Sequence, residues 1–352
     1  ITDILFFPQW DCIPYDRISP NKSIVSKRLE TLSSLANENR ENKVVLSTVQ
    51  SSYQRTLASK EIKSKSIELK PGQILNLDDL LLFFVNNGYS KTGTVREYGE
   101  FSVRGGIIDF YSPLNPPIRV DLFGSTIDSI KSFDLISQRS IELVKVVQVF
   151  PSSEVSLNDL TIEMFRKNFN QTFGSQRKKI KIYESITEGI TYPGMEHWLP
   201  FFYNTTDTIF DYLNNPLILL DSLYEDSLDS FIETIDDHYI SRKEYDDNEL
   251  SKDENKYFSL KPSQLYQDKK LFLENLSKTN TVEISTFKKP TGINFSGKLS
   301  KNYSGRDAKS KDQEIYDQLK GDIEKYLSEN KSVIIACSSI GSADRISKIL
   351  KN

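Results

Sequence analysis

Apolar positions along the chain change period several times, and each change marks a change of element. Ile4 to Phe7 (ILFF) is a short continuous apolar run and predicts a buried strand. A loop punctuated by proline follows (PQWDCIPYDRISP). Residues 22 to 38 then carry Val25, Leu29, Leu32 and Leu35 at helical spacing, and Val44 to Val49 (VVLSTV) is a second short β-branched run suited to a parallel strand. Strand, helix and strand in this order predict an α/β framework.

From about Ser66 the period falls to two. SIELK alternates and stops at Pro71 and Gly72. Asn76 is placed to cap a helix over LDDLLLFFVNN, with Asp79 three residues on and Gly88 just past its end. Four alternating segments follow (FSVRG, IIDFYS, IRVDLFG and TIDSIKSF), joined by Gly, Pro and Asn turns. A helix followed by a meander predicts an inserted α+β domain over 68–150. α/β character then returns, giving a discontinuous domain of 1–67 plus 151–275. Within it, Thr161 to Phe169 reads as an amphipathic helix and Pro216 to Ser222 (PLILLDS) as a buried strand. An acidic, Asn-rich helix and solvated loop are expected over 225–260. A small third α/β domain over 276–352 would hold a strand near Thr281 and a helix presenting Ile315, Leu319, Ile323, Tyr326 and Leu327. A strand at Ser332 to Ser338 and a helix starting at Ser342 would complete it.

Length bears this out: 352 residues at about 150 per domain suggest two or three domains. No apolar run reaches the ~18 to 20 residues of a bilayer span, so no membrane contact is expected. The opening segment lacks the basic start and cleavage site of a signal peptide. Ile1 in place of Met is read as the mark of a longer parent chain. Lys and Arg number 45 against 49 Asp and Glu, a net charge of −4 that argues against a generic nucleic-acid binder. Cys12 and Cys337 are far apart and His197 and His238 share no motif, so a disulfide scaffold, a metal site or a catalytic triad has little to build on. A reducing cytoplasm fits.

Phosphate chemistry is imitated more than present. Gly292 to Lys298 (GINFSGK) resembles a phosphate loop, but Leu299 stands where a Mg²⁺-ligating hydroxyl belongs and no helix pattern follows. PLILLDS could present Asp221 as the Mg²⁺-holding carboxylate of an ATPase, or simply end a strand in a turn; Ser222 follows it where a water-positioning Glu would be needed. The basic Gly/Ser stretch from Lys288 to Lys311 reads as a solvated linker or a nucleic-acid contact. The meander offers another surface. Alternation puts Phe101 and Val103 on one side and Ser102 and Arg104 on the other. With Ile118, Val120 and Leu122 in the core, Arg119, Asp121 and Phe123 face outward. Arginine beside an aromatic has the composition of a protein-binding hot spot, though a solvated face with one stray Phe has the same pattern. Met195 to Trp198 (MEHW) reads as a packed loop.

Several stretches taken together carry a resemblance: FFPQWDCIPYDRISP, GYSKTGTVREYGEFSVRGGIIDFYSP, IRVDLFGSTIDSIKSFDLISQRS, PSSEV, GMEHWLPFFY and TIFDYL. In this order they closely resemble the N-terminal part of bacterial transcription-repair coupling factors, specifically from Ile1 to Asp221 and more weakly to Asn352. The resemblance implies a degenerate helicase-like (P-loop NTPase-type) parallel-sheet domain similar to that of the excision-repair protein UvrB, lacking its first strand–helix region. It also implies an inserted domain that binds UvrA and a small C-terminal α/β domain. In the family the chain continues into an RNA-polymerase-interacting domain and an ATP-driven translocase on double-stranded DNA, against which this module packs as a restraint. ATP and Mg²⁺ would belong to that motor, with no cofactor and no catalysis in this chain. Carried over by motif, the UvrA contact would use Arg104 of EFSVRGG and both Arg119 and Phe123 of RVDLFG. Lys91 of GYSK would stand near a UvrB arginine, keeping charge without bidentate geometry. Only DRISPNK stands where UvrB carries its DNA-clamping hairpin, and Asp221–Ser222 replaces an Asp–Glu pair. The alternative implied by the same likeness is a UvrB-type ATP-dependent helicase that verifies damage.

Overall fold

The computed structural model describes residues 3–37, 42–174, 180–247, 257–287, 290, 292–294, 297, 303, 312–337 and 339–351. Two compact units divide between Thr286 and Phe287.

The first unit opens with strand β1 (Asp3–Phe7), helix α1 (Lys22–Ala36) and strand β2 (Lys43–Ser47). Asn21 caps α1 by accepting the Ser23 N–H, and Val25, Leu29, Leu32 and Ala36 bury one stripe of it. β1 and β2 pair in parallel, Ile4 opposite Val44 and Phe6 opposite Leu46. Short elements follow: α2 (Val49–Tyr53), β3 (Thr56–Leu57) and α3 (Ser59–Ser64).

Next come β4 (Ile67–Leu69), α4 (Leu77–Asn86), β5 (Ser90–Lys91), β6 (Glu100–Arg104), β7 (Ile107–Phe110), β8 (Ile118–Phe123), β9 (Thr126–Phe133), β10 (Ser140–Leu143) and β11 (Val147–Val149). β10, β9, β8, β7, β6 and β5 form one six-stranded sheet in that order. Its inner face packs on α4 as the alternation predicts. Phe84 of α4 lies 4.9 Å from Phe101 and 5.3 Å from Phe110, centroid to centroid, in a core with Ile108, Ile118, Val120, Ile127 and Ile130. Asn76 caps α4 through the Asp78 N–H. β4 and β11 pair antiparallel and close this second core, which runs from Leu69 to Val149.

The remainder of the unit is α5 (Asp159–Phe173), α6 (Lys181–Thr187), α7 (Leu199–Phe202), β12 (Thr206–Asp207), β13 (Leu217–Asp221), α8 (Tyr224–Asp247), α9 (Pro262–Leu265), α10 (Lys269–Ser277) and β14 (Asn280–Ile284). The larger core gathers Phe7, Leu32, Phe165, Phe169, Trp198 and Phe202 among others. Met195 to Trp198 form a buried 3₁₀ turn, a packed segment as read from the sequence.

β13 is not the buried strand expected. Among the described residues it pairs in parallel with β14 alone, and Leu217 and Leu219 are exposed beside Val282 and Ile284. A two-stranded sheet with one covered face leaves every second side chain in solvent. That pairing also joins the strand near Thr281 to the first unit. The acidic stretch after residue 225 is mostly one long helix, and the chain returns to the core at Tyr257 and Leu260.

The second unit contains α11 (Asp312–Ser328) and α12 (Ile340–Lys351). Residues 332–337, read as part of a strand, form no strand and pair with none among the described residues, and Ile334 is 90% exposed. An apolar run without a neighbouring strand has no ladder to join. Most of the basic stretch from Lys288 to Lys311, Lys298 included, lies outside the described residues. The architecture overall is mixed α/β, with its parallel pairing confined to β1–β2, β5–β6 and β13–β14 among the described residues. No helix among them is long and apolar enough to cross a membrane.

Candidate protein-binding face

The outer face of the six-stranded sheet follows from register. Ser102 on β6 lies opposite Asp109 on β7, Asp109 opposite Arg119 on β8, Arg119 opposite Lys131 on β9, and Lys131 opposite Leu143 on β10. Residues directly opposite share a face, so these five make one row across the sheet. One step along the strands, Ile107, Asp121 and Ser129 make the next, joined by Arg104 opposite Ile107. Phe123 ends β8. Gly124, at φ +62°, opens the two-residue loop to Thr126, a position where glycine costs nothing.

Asp109 organises the arginines. It is fully buried and accepts Arg119 Nε on Oδ1 at 2.7 Å and Arg119 Nη2 on Oδ2 at 2.9 Å. Arg104 Nη2 donates to the same Oδ2 at 2.5 Å. Arg119 Nη1 donates to the Gln138 carbonyl at 3.0 Å, and its guanidinium lies 5.0 Å from the centroid of the Phe133 ring. The hydrogen bonds to Asp109 push the Arg119 pKa above its ordinary value against the opposing effect of burial. Next to it, partial burial of Asp121 is outweighed by hydrogen bonds from Lys131 Nζ (2.7 Å) and Ser129 Oγ (2.8 Å), which hold its carboxyl below the usual range.

The sequence-derived residues therefore differ in availability. Arg104, Arg119 and Phe123 do share the outer face. Only 14% of the Arg119 side chain is exposed, against 48% for Arg104, and Phe123 is 84% exposed. Arg104 and Phe123 can meet a partner; Arg119 is chiefly a clamp. Lys91 is exposed on the edge strand β5, but it lies opposite Phe101 and so belongs to the inner side, away from Arg104. Asp221 is in a different sheet, exposed, and accepts the Leu223 N–H at 2.8 Å in a tight turn. Asp109 was missed. The signal for it was the alternation of IIDF, which puts an acid between two inward apolar residues on the face of the flanking arginines.

A second buried ion pair lies in the larger core, just after the chain leaves β11. Glu154 Oε1 accepts Arg28 Nε at 2.6 Å, with both side chains at or below 1% exposure. Thr56 Oγ1 donates to its other oxygen at 3.2 Å and Arg28 Nη1 to the Pro8 carbonyl at 2.9 Å, with the guanidinium over the Phe7 ring. Nearby, Ser152 and Ser153 press on Gly99 and Gly88, where any Cβ would collide.

Residues 67–155, which build this helix-backed sheet, match the family model of the UvrB interaction domain, which defines the class of this segment. The whole chain is similar to transcription-repair-coupling factors. It is 32% identical to that of Rickettsia typhi over 351 residues, which is 99% of this chain and 30% of the relative. It is 33% identical to that of Rickettsia bellii with the same coverage, and 32% identical to that of Escherichia coli over 203 residues, 57% of this chain and 17% of the relative. Over 99% of its length the chain matches transcription-repair-coupling factors, and it spans about 30% of the length of its Rickettsia relatives.

Proposed function

We propose that this chain is the UvrB-like recruiting part of a transcription-repair-coupling factor, which brings UvrA to RNA polymerase stalled at DNA lesions. The observation that carries the reading is Phe123, almost fully exposed beside the half-exposed Arg104 on a face that Asp109 fixes. An arginine held in place by a buried carboxylate has less side-chain freedom to lose on binding, and an exposed aromatic beside it gives the composition of a hot spot. The parallel pairs β1–β2 and β13–β14 support descent of the larger core from a helicase-like framework. Asp221 spends a carboxylate oxygen on its own turn, in keeping with a framework no longer used for hydrolysis. Contacts with RNA polymerase and double-stranded DNA, and the ATP- and Mg²⁺-dependent motor that this module would restrain, are assigned to the rest of the polypeptide.

The test is calorimetric titration of purified UvrA into the 352-residue chain. Phe123→Ala should weaken binding by about 2 kcal/mol or more, with circular dichroism unchanged. Wild-type affinity in that variant would refute the site.

A further inference from the structure

We infer that Leu143 is a second apolar anchor of the docking face, across the charged strip from Phe123, and that UvrA is its occupant; this rests on the recruiting reading above. No motif singles out Leu143. Register does: it ends the row Asp109, Arg119, Lys131, Leu143, so its side chain leaves the sheet on the arginine side. Strand spacing puts it roughly 10 Å from Arg119, and the rise along β8 puts Phe123 about 13 Å from Arg119 in another direction. The two apolar residues thus stand at comparable reach from the arginines.

Exposure supports the pairing. Leu143 is 75% exposed and Phe123 84%. Between them the charges are nearly satisfied. Asp109 is gripped by both arginines, and Lys131 bonds Asp121. The exposed part of Arg104 is the cation left to meet an acidic group. A partner surface that fits has one carboxylate for Arg104 and apolar contact at each end. Continuity with the Arg104–Phe123 surface commits Leu143 to the same occupant, and the matched domain of residues 67–155 contains all three.

The experiment measures the affinity of purified UvrA for the full chain carrying Leu143→Ser, Leu143→Met, Phe123→Ser or Leu160→Ser. Leu160 is a control of similar exposure, 78%, on α5. The expected result is at least a tenfold weaker dissociation constant for Leu143→Ser, near wild-type binding for Leu143→Met and Leu160→Ser, and unchanged melting temperatures throughout. If wild type binds and Phe123→Ser weakens it while Leu143→Ser does not, the second anchor is overturned and the recruiting reading stands. If the wild-type chain does not bind UvrA, the recruiting reading fails and takes the anchor with it. Leu143→Ser that abolishes self-association of the chain while leaving UvrA affinity intact also overturns the inference.

Discussion

Arg119 and Arg104 touch the same carboxylate, yet their removal should have different consequences. Arg119→Ala strips Asp109, which has no solvent exposure, of two charge-assisted hydrogen bonds and frees the Gln138 carbonyl as well. Removing one partner of a buried pair costs about 3 to 5 kcal/mol. Arg104 keeps one contact to Asp109, so the lower end, about 3 kcal/mol, applies here. Arg104→Ala leaves the bidentate Arg119 grip intact and removes a half-exposed, solvent-screened bond, worth at most about 1 kcal/mol. Urea unfolding at pH 7, with hydrogen exchange read on the amides of β7, β8 and β9, separates the two. Arg119→Ala should lower stability severalfold more than Arg104→Ala and open these strands. In UvrA titrations the order should reverse once only folded protein is counted. Equal stability losses, or none in Arg119→Ala, would refute the account of Asp109 as a buried anchor. Charge reversal at Arg119 is a poor binding test for the same reason, since it sets a second carboxylate against Asp109.

Arg28→Met should destabilise the chain by about 3 to 5 kcal/mol by stranding Glu154, and adding Glu154→Leu should recover part of the loss; chemical denaturation reads both. Gly99→Ala, at φ +71° with its Cβ 2.1 Å from Ser152 Oγ, should cost about 1 to 3 kcal/mol, and Ser152→Gly should relieve the collision but not the backbone strain, as thermal melts would show. Burial holds the His197 pKa down to about 4, below its ordinary 6.5, so its contribution is complete above pH 6.5 and is lost as pH falls towards 4, where the unfolded chain is protonated first. Glu196, raised mainly by burial, works in the opposite direction. Replacing His197 with Gln should flatten the fall in melting temperature over that interval.

Elements whose pattern is local were legible in the sequence. The cap at Asn76, the stripe of Val25, Leu29 and Leu32, and the alternation of β6 to β9 are each set by neighbours a few residues away, and all reappear in the structure. The outward set Arg104, Arg119 and Phe123 followed from the same period of two. Partnership was not legible. Nothing in IRVDLFG reveals that Arg119 is spent on a carboxylate ten residues earlier, or that Leu143 lies two strands over. Apolar runs misled where burial depends on a neighbour: PLILLDS and the 332–337 segment have the composition of interior strands, but solvent reaches both.

The antiparallel closure of β4 on β11 has an evolutionary corollary. Entry and exit of the excursion lie side by side, Leu69 opposite Val147 and Ile67 opposite Val149. The surrounding framework therefore meets the whole excursion as a pair of adjacent chain ends, whatever lies beyond them. Loop-closure entropy rises only logarithmically with length, so strands could be added, shortened or resurfaced there with little disturbance to the host. A lineage could reshape the outer face of the six-stranded sheet by rewriting one cassette.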